Sequence, residues 1–234
     1  MTTPMQPCSD RATLVTQVAE QLRSTIADAL TRRGTASLVL AGGGTPMPIY
    51  AELAQAELDW ASVLALPGDE RWVAGDNEAS NHFQMTQQFG PAAIRLERLV
   101  PEHPGRKPDP AHARQLLSSI PSPFDLVLLG MGGDGHFASL FPGSPALAAG
   151  LDPDCEEQAL IVTPDPLPPE APYSRITLTL SKLLSTRRLL LVITGEHKRE
   201  VLAQAAGPNA DPNQLPVAAL LQAAGDRLEV FWSP

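Results

Sequence analysis

The chain has 234 residues, 43% of them hydrophobic and 18% charged, enough for one sizeable core of the kind α/β domains build. Acidic residues outnumber basic ones 26 to 17, a formal net charge of −9, which argues against a nucleic-acid-binding body with its basic stripe. A small anion held by a few local cations is still compatible, and the lysines are few enough to locate: Lys107, Lys182 and Lys198.

Aromatics are sparse at 5%, while Pro (24) and Gly (17) are plentiful, so many short elements joined by turns are expected. Across residues 9–33, Leu14, Val15, Val18, Leu22, Ile26, Ala29 and Leu30 recur at helical spacing, with Gly34 as the C-terminal cap. Residues 36–41 form an apolar run ending in Gly42-Gly43-Gly44-Thr45-Pro46, which parses as strand, glycine loop and a helix to Leu53. Residues 62–67 read as a strand ending at Asp69-Glu70-Arg71. Residues 124–129 read as a strand ending in Gly130-Met131-Gly132-Gly133-Asp134-Gly135-His136. Residues 175–180, 188–194 and 228–232 complete the strands, and 196–206 are helical. The proline-rich stretches 101–110 and 163–172 are expected as surface loops; neither separates pieces able to bury a core, so 1–234 is expected to be a single domain. Strands alternating with helices predict an α/β fold, a mostly parallel doubly wound sheet with helices on both faces. Ligands bind such sheets outside the carboxyl ends of the strands, which is where the polar and glycine-rich residues fall here.

Several chemistries drop out. Cys8 and Cys155 have no CxxC spacing, and His82, His103, His112, His136 and His197 form no HExxH or HxH grouping, so no metal is expected. No GxxxxGK[ST] or GxSxG is present. Gly130, Gly132 and Gly135 satisfy GxGxxG after a strand, yet Pro142-Gly143 cuts short the helix that a dinucleotide site needs. No cofactor is therefore expected. The first residues lack a charged and an apolar signal region, and no apolar run approaches the roughly 20 residues of a membrane helix. A cytoplasmic protein with no membrane, nucleic-acid or visible protein partner is expected.

Three groupings remain. Gly42, Gly43, Gly44 and Thr45 can present backbone N–H groups to an anion, or make an ordinary turn. Asp69, Glu70 and Arg71 put three charges at a strand end. Asp134 and His136 place an acid and an imidazole two residues apart on a glycine-rich loop, where backbone can approach a substrate closely.

Together these segments resemble the 6-phosphogluconolactonases. The likeness rests on Leu38-Val-Leu-Ala-Gly-Gly-Gly-Thr-Pro46; Asp69-Glu-Arg71 with Ser80-Asn81; the long stretch from Phe124 through Asp134-Gly-His136 to Pro142-Gly143; and Arg175-Ile-Thr-Leu-Thr179 with Gly195 and Lys198. The segment Pro216-Val-Ala-Ala-Leu220 is similar to the family's last helix. Departures are small: Gly133 stands where the family often has Glu, and Phe137 where it often has Thr. The resemblance implies hydrolysis of 6-phospho-D-glucono-1,5-lactone, with Arg175, Lys198 and the Gly43-Gly44-Thr45 backbone on the phosphate. Glucosamine-6-phosphate deaminases and isomerases share the fold but carry an acid five residues after the histidine, where this chain has Phe141. A non-catalytic sugar-phosphate-binding regulator is the other alternative. An imidazole, with an unperturbed pKa near ~6.5, suits base work at neutral pH, and His136 takes that role here. Asp134 orients the ring or organises the loop. Glycine-loop N–H groups are candidates for the oxyanion. Arg71 either contacts substrate or pairs with Asp69.

Overall fold

In the computed structural model, which describes residues 5–90, 92–163 and 172–234, the chain opens with β1 (Met5–Pro7) and α1 (Arg11–Arg33). Asp10 starts the helix, its Oδ1 accepting the Thr13 N–H at 2.7 Å, and Gly34 ends it at φ 75°, a conformation that a Cβ would oppose. There follow β2 (Ala36–Leu40), α2 (Met47–Leu53), β3 (Val63–Pro67), β4 (Asp69–Arg71), α3 (Asn81–Phe89), β5 (Arg95–Leu96), α4 (Ala111–Ser119) and β6 (Leu126–Gly130). The second half holds α5 (Leu147–Leu151), β7 (Ala159–Val162), β8 (Arg175–Leu178), α6 (Leu180–Leu184), β9 (Leu189–Thr194), α7 (Glu196–Ala205), α8 (Val217–Ala224) and β10 (Leu228–Ser233).

Seven strands form one sheet in the order β1-β10-β9-β6-β2-β3-β5, and every neighbouring pair is parallel. Alternation along the strands sends side chains to two cores. Leu38, Leu40 and Leu128 meet Leu22, Ile26, Ile49, Tyr50 and Phe89 of α1, α2 and α3. Val39, Val127, Leu129 and Ile193 meet Leu117, Leu147, Leu183, Leu202 and Leu220 of α4 to α8. The doubly wound α/β reading holds.

Two expectations change. Residues 175–178 do form a strand, but it lies in a separate antiparallel sheet, β4-β8-β7, and not in the parallel one. Asp69-Glu70-Arg71, expected as a charged strand end, is itself β4 of that sheet. Gly68 makes the switch: its N–H holds Leu40 O in the large sheet at 2.9 Å, while its carbonyl takes the Leu178 N–H of the small one at 2.9 Å. The loop at 101–110 is irregular as expected. Of the other proline-rich stretch, 163–172, residues 164–171 lie outside the described residues.

Strand order reverses between β2 and β6. From β2 the chain proceeds to β3 and β5 on one side, then returns to β6 and continues outward through β9 and β10 on the other. The connections after β2 and β6 therefore diverge and leave a crevice at their carboxyl ends. Both glycine loops sit there, and the small sheet is placed at its rim by the chain leaving β3. After Gly130 no helix begins before Leu147, so the GxGxxG match lacks the helix N-terminus that would bind a pyrophosphate.

Candidate active site

The crevice is a cavity of about 220 Å³ lined by both glycine loops and by the small sheet. Gly42, Gly43, Gly44, Thr45, Asp69, Arg71, His136, Arg175 and Lys198 all line it. Asp134 stands behind His136 and does not. Among the described residues, three cations thus face one carboxylate in a chain whose overall charge is −9, so the local field favours an anion.

After β2, Gly43 turns at φ 93°, a backbone state few other residues adopt at ease. The N–H groups of Gly43, Gly44 and Thr45 donate to nothing among the described residues. Arg11, at the start of α1, fixes the loop by donating from Nη2 to Gly44 O at 2.7 Å. Carbonyl and following N–H oppose each other across a trans peptide, so this bond turns the Thr45 N–H away from Arg11.

After β6, the loop is built around the imidazole. His136 Nδ1 lies 2.5 Å from Asp134 Oδ1, and the His136 backbone N–H also donates to that oxygen at 3.2 Å. Burial by itself would raise the Asp134 carboxyl, but the hydrogen bonds and charge of His136 outweigh it and hold it below the ordinary carboxylate range. With an ionised acceptor there, Nδ1 carries the proton and Nε2 is left with the lone pair. A Cβ on Gly132 would stand 2.2 Å from the ring's Cε1 and Nδ1, so only glycine admits the imidazole at this approach. His197 Nε2 buttresses the loop at 3.1 Å from Gly133 O. The oxyanion expectation narrows, because Gly132 N–H already donates to His136 O (2.9 Å) and Gly135 N–H to Gly132 O (3.2 Å).

The charged triplet of β4 is organised by a residue whose role the sequence left unassigned. Asn81 opens α3, and its Nδ2 donates to Asp69 O at 2.8 Å and to Asp69 Oδ1 at 3.3 Å. Its Oδ1 accepts from Arg71 Nη1 at 2.8 Å. Arg71 therefore does not pair with Asp69; Asn81 bridges them, and Arg71 Nη1 also reaches Ala79 O at 2.7 Å. The remaining Asp69 oxygen accepts from buried Ser139. Arg71 Nε is buried with no acceptor among the described residues, an orphan donor on a cavity-lining residue. Glu70, 2% exposed, anchors the cluster: it accepts the N–H groups of Arg71 (2.8 Å), Asn81 (2.7 Å) and His82 (2.8 Å) and the Ser80 hydroxyl (2.9 Å). Burial raises its carboxyl against the pull of those four bonds.

Asn81 also explains a glycine. A Cβ on Gly42 would lie 2.1 Å from Asn81 Oδ1. Gly42→Ala is expected to push Asn81 aside at the overpacking cost of about 1–3 kcal/mol. That corresponds to a melting temperature lower by roughly 2–12 °C in a chain of this size, readable by calorimetry. An unchanged melting temperature would show that Asn81 moves freely.

Arg175 lies opposite Arg71 in the β4–β8 register and is 5% exposed. Lys198 sits in the first turn of α7, half-buried; burial lowers its ammonium below the ordinary lysine value, and the charge of Asp134 opposes that shift. The cavity thus brings these cations and an imidazole together.

The family described as glucosamine-6-phosphate isomerases/6-phosphogluconolactonase matches residues 9–232. The chain belongs to that family. A 6-phosphogluconolactonase of Rhizobium meliloti (strain 1021) is 34% identical over 100% of both chains. One from Pseudomonas putida is 38% identical over 95% of this chain and 88% of its own length. The crystal structure of a 6-phosphogluconolactonase from Shewanella baltica OS155 superposes with a TM-score of 0.88 at 32% identity, covering 100% of this chain and 98% of that one. Membership brings two activities into view, and the residues around His136 bear on which applies.

Proposed function

We propose that this chain, acting as one catalytic domain, hydrolyses 6-phospho-D-glucono-1,5-lactone to 6-phospho-D-gluconate, the activity for which the relatives described above are named. The observation that carries the reading is one cavity holding an imidazole with Nε2 unpartnered and, on its other walls, Arg71, Arg175, Lys198 and three uncommitted N–H groups. The phosphate lies on Arg175 and Lys198, with the Gly43-Gly44-Thr45 N–H groups alongside; Arg offers a planar fork and Lys a point charge. That grip leaves C1 of the lactone toward His136.

Nε2 takes a proton from water as its oxygen attacks C1, and Asp134 stabilises the imidazolium through Nδ1. The tetrahedral intermediate carries its charge on the former carbonyl oxygen, where a backbone N–H or Arg71 Nε can donate. The C1–O5 bond then breaks, and the imidazolium returns the proton to O5. The product is the open-chain acid, which ionises in water. Among the described residues no group of three or more His, Cys, Asp or Glu side chains is placed to hold a metal, and the chemistry needs none.

Phe141 supports lactone hydrolysis over the family's amino-sugar chemistry. It occupies the position expected of a ring-opening acid and has no proton to transfer. Cys8 and Cys155 are free thiols, and no helix of the described residues is long and apolar enough to cross a membrane. Free thiols suit a reducing compartment, which supports a cytoplasmic placement.

The test is turnover by purified protein with a chelator present, after subtracting spontaneous lactone hydrolysis at each pH. Enzymatic hydrolysis unchanged by exhaustive chelation is expected. Ammonia release from glucosamine 6-phosphate at a comparable rate would overturn the choice between the two activities.

A further inference from the structure

Phe141 touches two residues that line the cavity, His136 and Arg175, and is not itself in the lining. Its ring centroid lies 4.3 Å from that of His136, with the planes tilted by 38°. The guanidinium carbon of Arg175 lies 5.0 Å from the centre of the same ring. His136 is therefore held on one edge by Asp134, against Gly132 at Cε1, and on its face by Phe141. One aromatic ring backs the proposed base and the proposed phosphate ligand together.

We propose that Phe141 is a positioning residue for this reaction, acting through its π-face on His136 and Arg175 at once. The inference rests on the lactonase reading and adds to it. When Nε2 takes its proton, a second cation appears beside Arg175, and two like charges in a partly dry cavity repel. A benzene ring carries negative potential on its faces and attracts both. Arg175 is cationic throughout, and the ring holds its guanidinium in place for the phosphate, so a weaker ring leaves it less well placed to bind; His136 engages it as a cation only once protonated. The ring thus favours the charged intermediate over the resting state, which a purely steric wedge would not do. An acid at this position would bring a charge of its own; Phe141 offers polarisation without one and keeps water from the imidazole face.

Replacing Phe141 by its mono-, di- and trifluorinated analogues drains the negative face progressively while scarcely altering ring size, so folding is preserved. Turnover of the phosphorylated lactone is expected to fall stepwise through the series, reaching about 2- to 30-fold for the trifluoro ring, the range of a cation–π contact. Affinity for 6-phosphogluconate, measured by calorimetry, is expected to weaken in the same order through Arg175. Phe141→Leu should resemble the trifluoro protein, and Phe141→Tyr, which keeps the face, should recover most of the turnover. The binding series reads the Arg175 contact even if the wild type turns over no lactone, so failure of the lactonase reading gives a different result from failure of this one. Flat series in both turnover and binding, with Phe141→Leu as active as wild type, would overturn the proposal.

Discussion

Lys198→Ala is expected to raise KM for the phosphorylated lactone about ten- to a hundredfold and to leave unphosphorylated gluconolactone nearly unaffected. The magnitude is that of a lost charge-assisted hydrogen bond, about 1.5–3 kcal/mol. Lys198 is well suited to so selective an effect. Burial disfavours its ammonium in the free protein, and Asp134 restores only part of that loss. A phosphate dianion arriving beside it stabilises the cation further, so the pair strengthens on binding. The sign of the pH dependence follows. Because the lysine's folded value is lowered, its charge, and with it the phosphate grip, fades at a lower pH than an ordinary lysine would allow. KM for the phosphorylated lactone should therefore begin to rise on the alkaline side earlier than an unburied lysine would permit, while KM for gluconolactone stays level. Steady-state kinetics on both lactones over that range checks each part. Equal losses on the two substrates would take Lys198 out of the phosphate site.

The legibility of this chain in its sequence divides along physical lines. Apolar runs that stop in glycine were readable as strands of a parallel sheet, because being buried on both faces demands such runs and the crevice demands such glycines. Hence Gly42, Gly43, Gly44, Thr45, Asp134 and His136 could be placed before any coordinates. The charged triplet Asp69-Glu70-Arg71 could not be read as a buried strand. Its burial depends on Ser80, Asn81 and His82 arriving from α3 to satisfy Glu70, and composition alone makes three consecutive charges look solvated. Strand β8 is legible as a strand, but its place in the small antiparallel sheet is not, since a short apolar strand does not announce its partners. Strands β1 and β5, with three and two residues, carry too little pattern to detect. Asn81 appeared only as part of a motif; its bridge between Asp69 and Arg71 joins residues ten and twelve positions apart through a turn no periodicity describes. The stacking of Phe141 on His136 and Arg175 likewise depends on the small sheet meeting the second glycine loop.

The largest effect expected is that of His136→Asn. The amide keeps a polar group beside Asp134 and vacates only the space that the ring's far atoms fill near Gly132, but it has no basic nitrogen to take a proton from water. Removing a general base usually lowers the rate about 10²- to 10⁴-fold. The proposed phosphate grip lies on Arg175, Lys198 and the loop after β2, so affinity for the product should change little. The decisive measurement is therefore kcat of folded His136→Asn on 6-phosphogluconolactone, corrected for spontaneous hydrolysis, alongside calorimetric affinity for 6-phosphogluconate. A rate at least a hundredfold below wild type with near-normal product binding is the expected result. A variant that keeps a third or more of wild-type kcat would contradict it and shift the base elsewhere, with Asp69, the one carboxylate among the described residues that line the cavity, first in line.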